Sequence, residues 1–148
     1  MMPPMRRFFG STDNQVHFGI LVLRLGIGAA FIAHGVPKLQ AGPEGWAKWG
    51  HAVSSLGIDF GYQTFGLLSG IAEAGGGLLL ILGLLTRLAC LPMLATMIVA
   101  TAMALSSGQG FGGAAHAIED GVVLLALLIT GAGRYSIDNK LAGPPSWG

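Results

Sequence analysis

The first long apolar stretch of the chain, Val16 to Val36, carries an arginine, Arg24, near its middle. About 20 residues of α-helix cross the ~30 Å hydrocarbon layer of a bilayer, so the stretch is long enough to span. A charge at the centre of such a helix costs roughly 2.5–3.5 kcal/mol, while each Leu, Ile or Phe returns only about 0.5 kcal/mol. With His34 added to the cost, the segment is near its limit as a lone helix bathed in lipid. It belongs inside a bundle, with its charge turned toward other helices and a partner.

Three more apolar runs follow, near 64–85, 88–105 and 117–133, and none alternates with the two-residue period of a strand. The chain of 148 residues is 52% hydrophobic and 10% charged, where a soluble domain averages about 25% charged. These features predict an all-α fold, a polytopic membrane four-helix bundle over 16–141 whose first span is 16–36. Residues 1–15 read as a flexible leader and 142–148 as a tail. A cleaved signal peptide fits poorly, because the apolar run is too long and charged and lacks a small-residue cleavage pattern.

The distribution of Lys and Arg sets an orientation. With both termini cytoplasmic, that side holds Arg6, Arg7, Arg87, Arg134 and Lys140, and the opposite side only Lys38 and Lys48. The far side then receives the long connection 37–63, whose Trp46, Trp49, Phe60 and Tyr62 suit an interfacial belt. Its Pro43-Glu44-Gly45-Trp46 segment resembles the opening of a short helix on the membrane surface.

Helical periodicity places Arg24, Gly28, Phe31, Gly35 and Lys38 on one stripe, with His34 at its edge. In the second span Gly66, Gly70, Glu73 and Gly77 share a face, and glycine there lets another backbone approach. Glu119 shares a face with Ala126, Thr130 and Gly133, whereas Asp120 falls with Leu124 and Leu127 and reads as a headgroup-level charge. At ~1.5 Å per residue, Arg24 lies ~12 Å from one membrane face and Glu73 ~15 Å from the other. That reading predicts an Arg24–Glu73 pair near mid-membrane, with His34, Lys38 and Glu119 above it as a polar track. A buried pair of this kind either serves a ligand or holds helices in register.

Other patterns fail their context. Gly108-Gln109-Gly110-Phe111-Gly112-Gly113 matches G-x-G-x-x-G but follows a membrane span, not the strand of a βαβ unit. Met93 and Met97, one turn apart, suit packing better than a soft metal. Cys90 is the chain's one cysteine, so disulfides, C-x-x-C chemistry and cysteine-built metal sites are excluded within it. Any redox chemistry has to come from a bound cofactor or a partner chain. Net charge of +1 argues against a nucleic-acid partner.

Three segments in order, LRLGIGAAFIAHGVPKL (Leu23–Leu39), IAEAGGGLLLILGLLTRLA (Ile71–Ala89) and GAGRYSIDNKL (Gly131–Leu141), resemble the DoxX family of small bacterial membrane proteins. The resemblance implies four membrane helices in the bacterial inner membrane and a polar core of Arg24, His34, Lys38, Glu73 and Glu119. One branch of the family is linked to a thiosulfate:quinone oxidoreductase. The expectation is therefore a quinone-interacting subunit of a membrane oxidoreductase system, with those five residues around the quinone and no metal, flavin or dinucleotide indicated. Membrane lipid and other membrane subunits, or a homo-oligomer, are the expected partners. The alternatives are an accessory or scaffold subunit and, behind it, a small-solute or lipid carrier.

Overall fold

The computed structural model describes residues 12–143, so most of the expected leader, with Arg6 and Arg7, and most of the expected tail lie outside the described residues. The elements are α1 Asp13–Gln40, α2 Gly42–Gly50, a 3₁₀ helix His51–Leu56, α3 Tyr62–Leu82, α4 Thr86–Ser106, α5 Gly110–Thr130 and a short α6 Ile137–Ala142. There is no strand among the described residues. Among the described residues four helices, α1, α3, α4 and α5, are long and apolar enough to cross a membrane. The chain is an all-α membrane protein built as a four-helix bundle.

Local chemistry sets the helix ends. Thr12 and Gln15 form a reciprocal capping box, Gln15 N–H donating to Thr12 Oγ and Thr12 N–H to Gln15 Oε1, so α1 begins at Asp13, earlier than the apolar run suggests. The break after Gln40 falls at Gly42, whose φ of +69° suits glycine. Pro43 then sits in the first turn of α2, where its missing N–H costs nothing. The Gly-rich segment before His116 is helical from Gly110 onward. A lipid-facing backbone must satisfy its own hydrogen bonds, which overrides the weak helix propensity of glycine.

Glycine sets the register between α1 and α3. A Cβ on Gly28 would stand 2.7 Å from the carbonyl oxygen of Gly77, and one on Gly77 would stand 2.6 Å from that of Gly28. The two backbones are in direct contact there. Further along, Gly35 meets Ala74 and Gly70 meets Leu39, so α1 ends beside the middle of α3. The next segment continues upward, with Gly66 against the Trp46 backbone and Gly50 against Tyr62. A broken helix, α1 followed by α2, thus runs the length of α3. The expected surface helix starts where the sequence placed it, but it packs on α3.

The two ends of the bundle differ. Toward the chain termini, Phe31, Leu80, Cys90, Met93, Leu124 and Leu127 form a packed core, and Met93 fills the space that Gly76 leaves. The segment after α5 closes this end, with the backbone N–H of Arg134 donating to His17 Nδ1 and its guanidinium to Asn14 Oδ1. Toward the loops, the space among α1, α2, the 3₁₀ helix, α3, α4 and α5 is a cavity. α1 packs on α3 and α4 on α5, while α1 and α5 barely touch.

Candidate functional site

The cavity has a volume of about 610 Å³ and mostly apolar walls, among them Phe31, Val53, Phe65, Leu68, Met97 and Val99. That size falls within the ~300–1,000 Å³ of ligand pockets, which typically combine apolar walls with a few placed polar groups. Here the polar groups come in two sets.

The first set lies at mid-height. Glu73 stands eleven residues into α3, ~16 Å from its start, and is 2% exposed. Lys38, near the C-terminus of α1 where a cation suits the helix dipole, places Nζ 2.6 Å from Glu73 Oε1. The same Nζ lies 3.5 Å from Ser69 Oγ and 5.3 Å from the centre of the Trp49 ring. Ser69 and Glu73 are four apart, so α3 presents them on one face. Glu73 Oε2 is buried and has no hydrogen-bond partner. A buried carboxylate oxygen left this way carries its full desolvation cost. Pro37 has no N–H, so the carbonyl of Ala33, also on the cavity wall, loses its helical donor.

The second set lines the gap between α1 and α5. The His34 and His116 rings face each other with centroids 5.6 Å apart, and His116 Nε2 lies 3.4 Å from Asp120 Oδ2. Both histidines are exposed and line the cavity where α1 and α5 make few contacts. Among the described residues, no group of three or more His, Cys, Asp or Glu could hold a metal ion.

The structure therefore gathers three of the five expected residues, His34, Lys38 and Glu73. Arg24 is elsewhere, and the expected Arg24–Glu73 pair does not form. Arg24 is fully buried and donates from Nη1 to the Leu80 carbonyl at 3.1 Å and from Nη2 to the Tyr135 carbonyl. The error was one of depth. Counting from the ends of apolar runs put both charges at mid-membrane, whereas the glycine register sets Arg24 level with Leu80–Gly83. That is seven to ten residues, ~10–15 Å, past Glu73 along α3.

Glu119 is exposed and does not line the cavity, while Asp120 does. Asp120 shares its face with Leu124 and Leu127, and these are 0% and 1% exposed. That face is the core face, not a headgroup face. Asp120, His116, Ser69 and Trp49 are the residues that sequence reasoning missed. His116 and Ser69 each lie four residues from a carboxylate, which was the available signal.

A family model described as DoxX matches residues 19–106. The chain is also 32% identical, over 140 aligned positions, to the uncharacterized membrane protein Rv3486 of Mycobacterium tuberculosis (strain ATCC 25618 / H37Rv). That alignment covers 83% of this chain and 81% of the relative. No solved structure matches the chain.

Proposed function

The chain belongs to the DoxX family, and on that premise we propose that it binds the head group of a lipid-soluble quinone in the cavity between its helices. The observation that carries this reading is the Lys38–Glu73 ion pair on the cavity wall at mid-height, with Glu73 buried and Lys38 partly exposed. Apolar walls and the loosely packed gap between α1 and α5 fit a ligand with a small polar ring and an apolar tail.

Each residue has a role on this reading. Lys38 balances the Glu73 charge and fixes its orientation. Lys38, the partly exposed member of the pair, is the donor that reaches a ring oxygen, Ser69 adds a polar contact, and Trp49 closes the wall beside Lys38. His34 and His116 stand where the ligand passes, with Asp120 holding His116. A bound quinone supplies two-electron, two-proton redox chemistry, which no side chain of this chain carries. A partner subunit is then the electron source or acceptor. Arg87, Arg134 and Lys140 lie at the end of the bundle that carries the termini, which favours termini on the cytoplasmic side of a bacterial inner membrane.

The test is retention. Protein purified in a mild detergent is expected to carry quinone at about one per chain, and Ala100→Trp, which fills the cavity from α4, is expected to carry none. Wild-type protein that is folded and free of quinone, with Lys38 and Glu73 variants affecting stability alone, would assign the pair to packing and the chain to a scaffold role.

A further inference from the structure

We infer that the outer face of α5 around Glu119 is where two copies of the chain meet within the membrane, Glu119 of each copy pairing with His116 of the other.

Glu119 stands nine residues into the 21-residue helix α5, ~13 Å from its loop end, and is exposed. Among the described residues no ion pair includes it. Its neighbour Asp120 lines the cavity and Glu119 does not, so Glu119 is turned toward the outside of the bundle. In a single copy that carboxylate faces hydrocarbon. Ionisable groups at such depth face other helices or water and find a partner there. The chain gives Glu119 neither, so a second molecule has to cover it.

The same face carries the complement of Glu119. α5 has no Lys or Arg, but His116 lies one turn before Glu119 with its side chain 69% exposed. Its Nε2 is 3.4 Å from Asp120 Oδ2 of its own chain. A carboxylate only accepts hydrogen bonds, whereas an imidazole protonated at both nitrogens donates two. His116 can therefore hold Asp120 through Nε2 and Glu119 of a second copy through Nδ1. A patch that bears both halves of a pair is self-complementary, and a two-fold contact forms that pair twice.

Small residues fill the rest of the face. Gly112, Ala126 and Thr130 share it with Glu119, and all three are exposed. A Cβ on Gly112 would meet nothing within 4 Å, so packing within the chain does not call for the glycine, which weakens a helix. Lipid tails are as apolar as a leucine face, so membrane helices associate through close backbone approach and polar bonds. This face offers both. The contact covers the α5 lip of the gap at His34 and His116 and leaves the α1 lip to the lipid.

The test counts copies. The full chain, fused to one fluorescent protein, is reconstituted at low density in vesicles of phosphatidylcholine and phosphatidylglycerol. Photobleaching of wild type is expected to proceed mainly in two steps. Glu119→Leu removes both pairs and is expected to raise the dissociation constant of the dimer at least about tenfold, while each copy stays folded. Cross-linking in native membranes with copper phenanthroline decides the matter if that variant fails to fold. Ala126→Cys is expected to form a disulfide-linked dimer, and Ile71→Cys, exposed on α3, is expected not to. Buried Cys90 sets the background. Single-step bleaching of wild type, undiminished dimers in Glu119→Leu, or cross-linking at Ile71→Cys and not at Ala126→Cys overturns the inference. A cross-link from Ala126→Cys to a different protein hands the face to that protein and overturns it as well.

Discussion

At the scale of single residues, two buried charges that look alike in the sequence have separate tasks. Glu73 faces the cavity beside Lys38, and Arg24 faces the backbone. The carbonyls that Arg24 holds, Leu80 and Tyr135, belong to the end of α3 and to the segment after α5, so it ties the closing segment to the bundle. Arg24→Leu is expected to lower the midpoint of thermal unfolding in detergent by several degrees, since hydrogen bonds to a charged group contribute ~1.5–3 kcal/mol each. Quinone affinity is expected to change by less than about twofold, because Arg24 does not line the cavity. Lost affinity at unchanged stability would put Arg24 back in the site. The sequence made these charges conspicuous but not their partners. Residue type and face follow from periodicity, while pairing needs the relative height of two helices, and apolar-run ends locate that height poorly.

At the scale of elements, the missing height was written in the glycines. Gly28 and Gly35 are seven apart on α1, as are Gly70 and Gly77 on α3, and antiparallel packing of those faces sets Gly28 against Gly77. That contact puts Arg24 near Ile81, and the Gly35–Ala74 and Leu39–Gly70 contacts bring Lys38 within reach of Glu73. The three consecutive glycines of α3 test it. A Cβ on Gly75 meets nothing within 4 Å, whereas on Gly77 it meets the Gly28 carbonyl at 2.6 Å. Gly75→Ala is expected to be neutral or to stabilise by up to ~1 kcal/mol through helix propensity. Gly77→Ala is expected to separate α1 from α3, seen as loss of folded protein in size-exclusion chromatography. Equal yields of the two variants would refute the close contact.

The closing segment has an element-level purpose too. Asp138 accepts from the backbone N–H of Leu85 at 2.7 Å and of Thr86 at 3.0 Å. It caps α4 from across the chain and holds Leu85 in its left-handed conformation, φ 49°. Asp138→Ala is expected to cost about 1 kcal/mol, as for other lost N-caps. Amide exchange at Leu85 and Thr86 should accelerate while that of α5 does not. The Gly-Arg-Tyr-Ser-Ile-Asp motif was legible as a signature, but the backbone that Asp138 caps, at Thr86, lies fifty-two residues before it, and no local pattern announces a cap supplied from that distance.

At the scale of the whole molecule, one half of the bundle is filled and the other is hollow, and the boundary between them is the level of Glu73. Phe31, Leu80, Met93, Leu124 and Leu127 fill the half toward the termini, so a ligand at Glu73 has no route through that end. Composition and run length made the four helices legible. The cavity was not, because it arises from the break between α1 and α2 and from the near absence of contact between α1 and α5, both properties of assembly. Two routes into the cavity remain, from the loop end or sideways from the lipid past His34 and His116. A lipid-soluble ligand arriving within the bilayer favours the sideways route. Replacing His34 and His116 by cysteine and bridging them with a short bifunctional thiol reagent is expected to slow quinone association at least about tenfold, which is ~1.4 kcal/mol in the barrier. Buried Cys90 is expected to stay unmodified. Reagent capping each cysteine singly should leave the rate within about twofold of the unmodified double variant. Unchanged association in the bridged protein would place the entrance at the loop end, leaving His34 and His116 as part of the wall and not of the route.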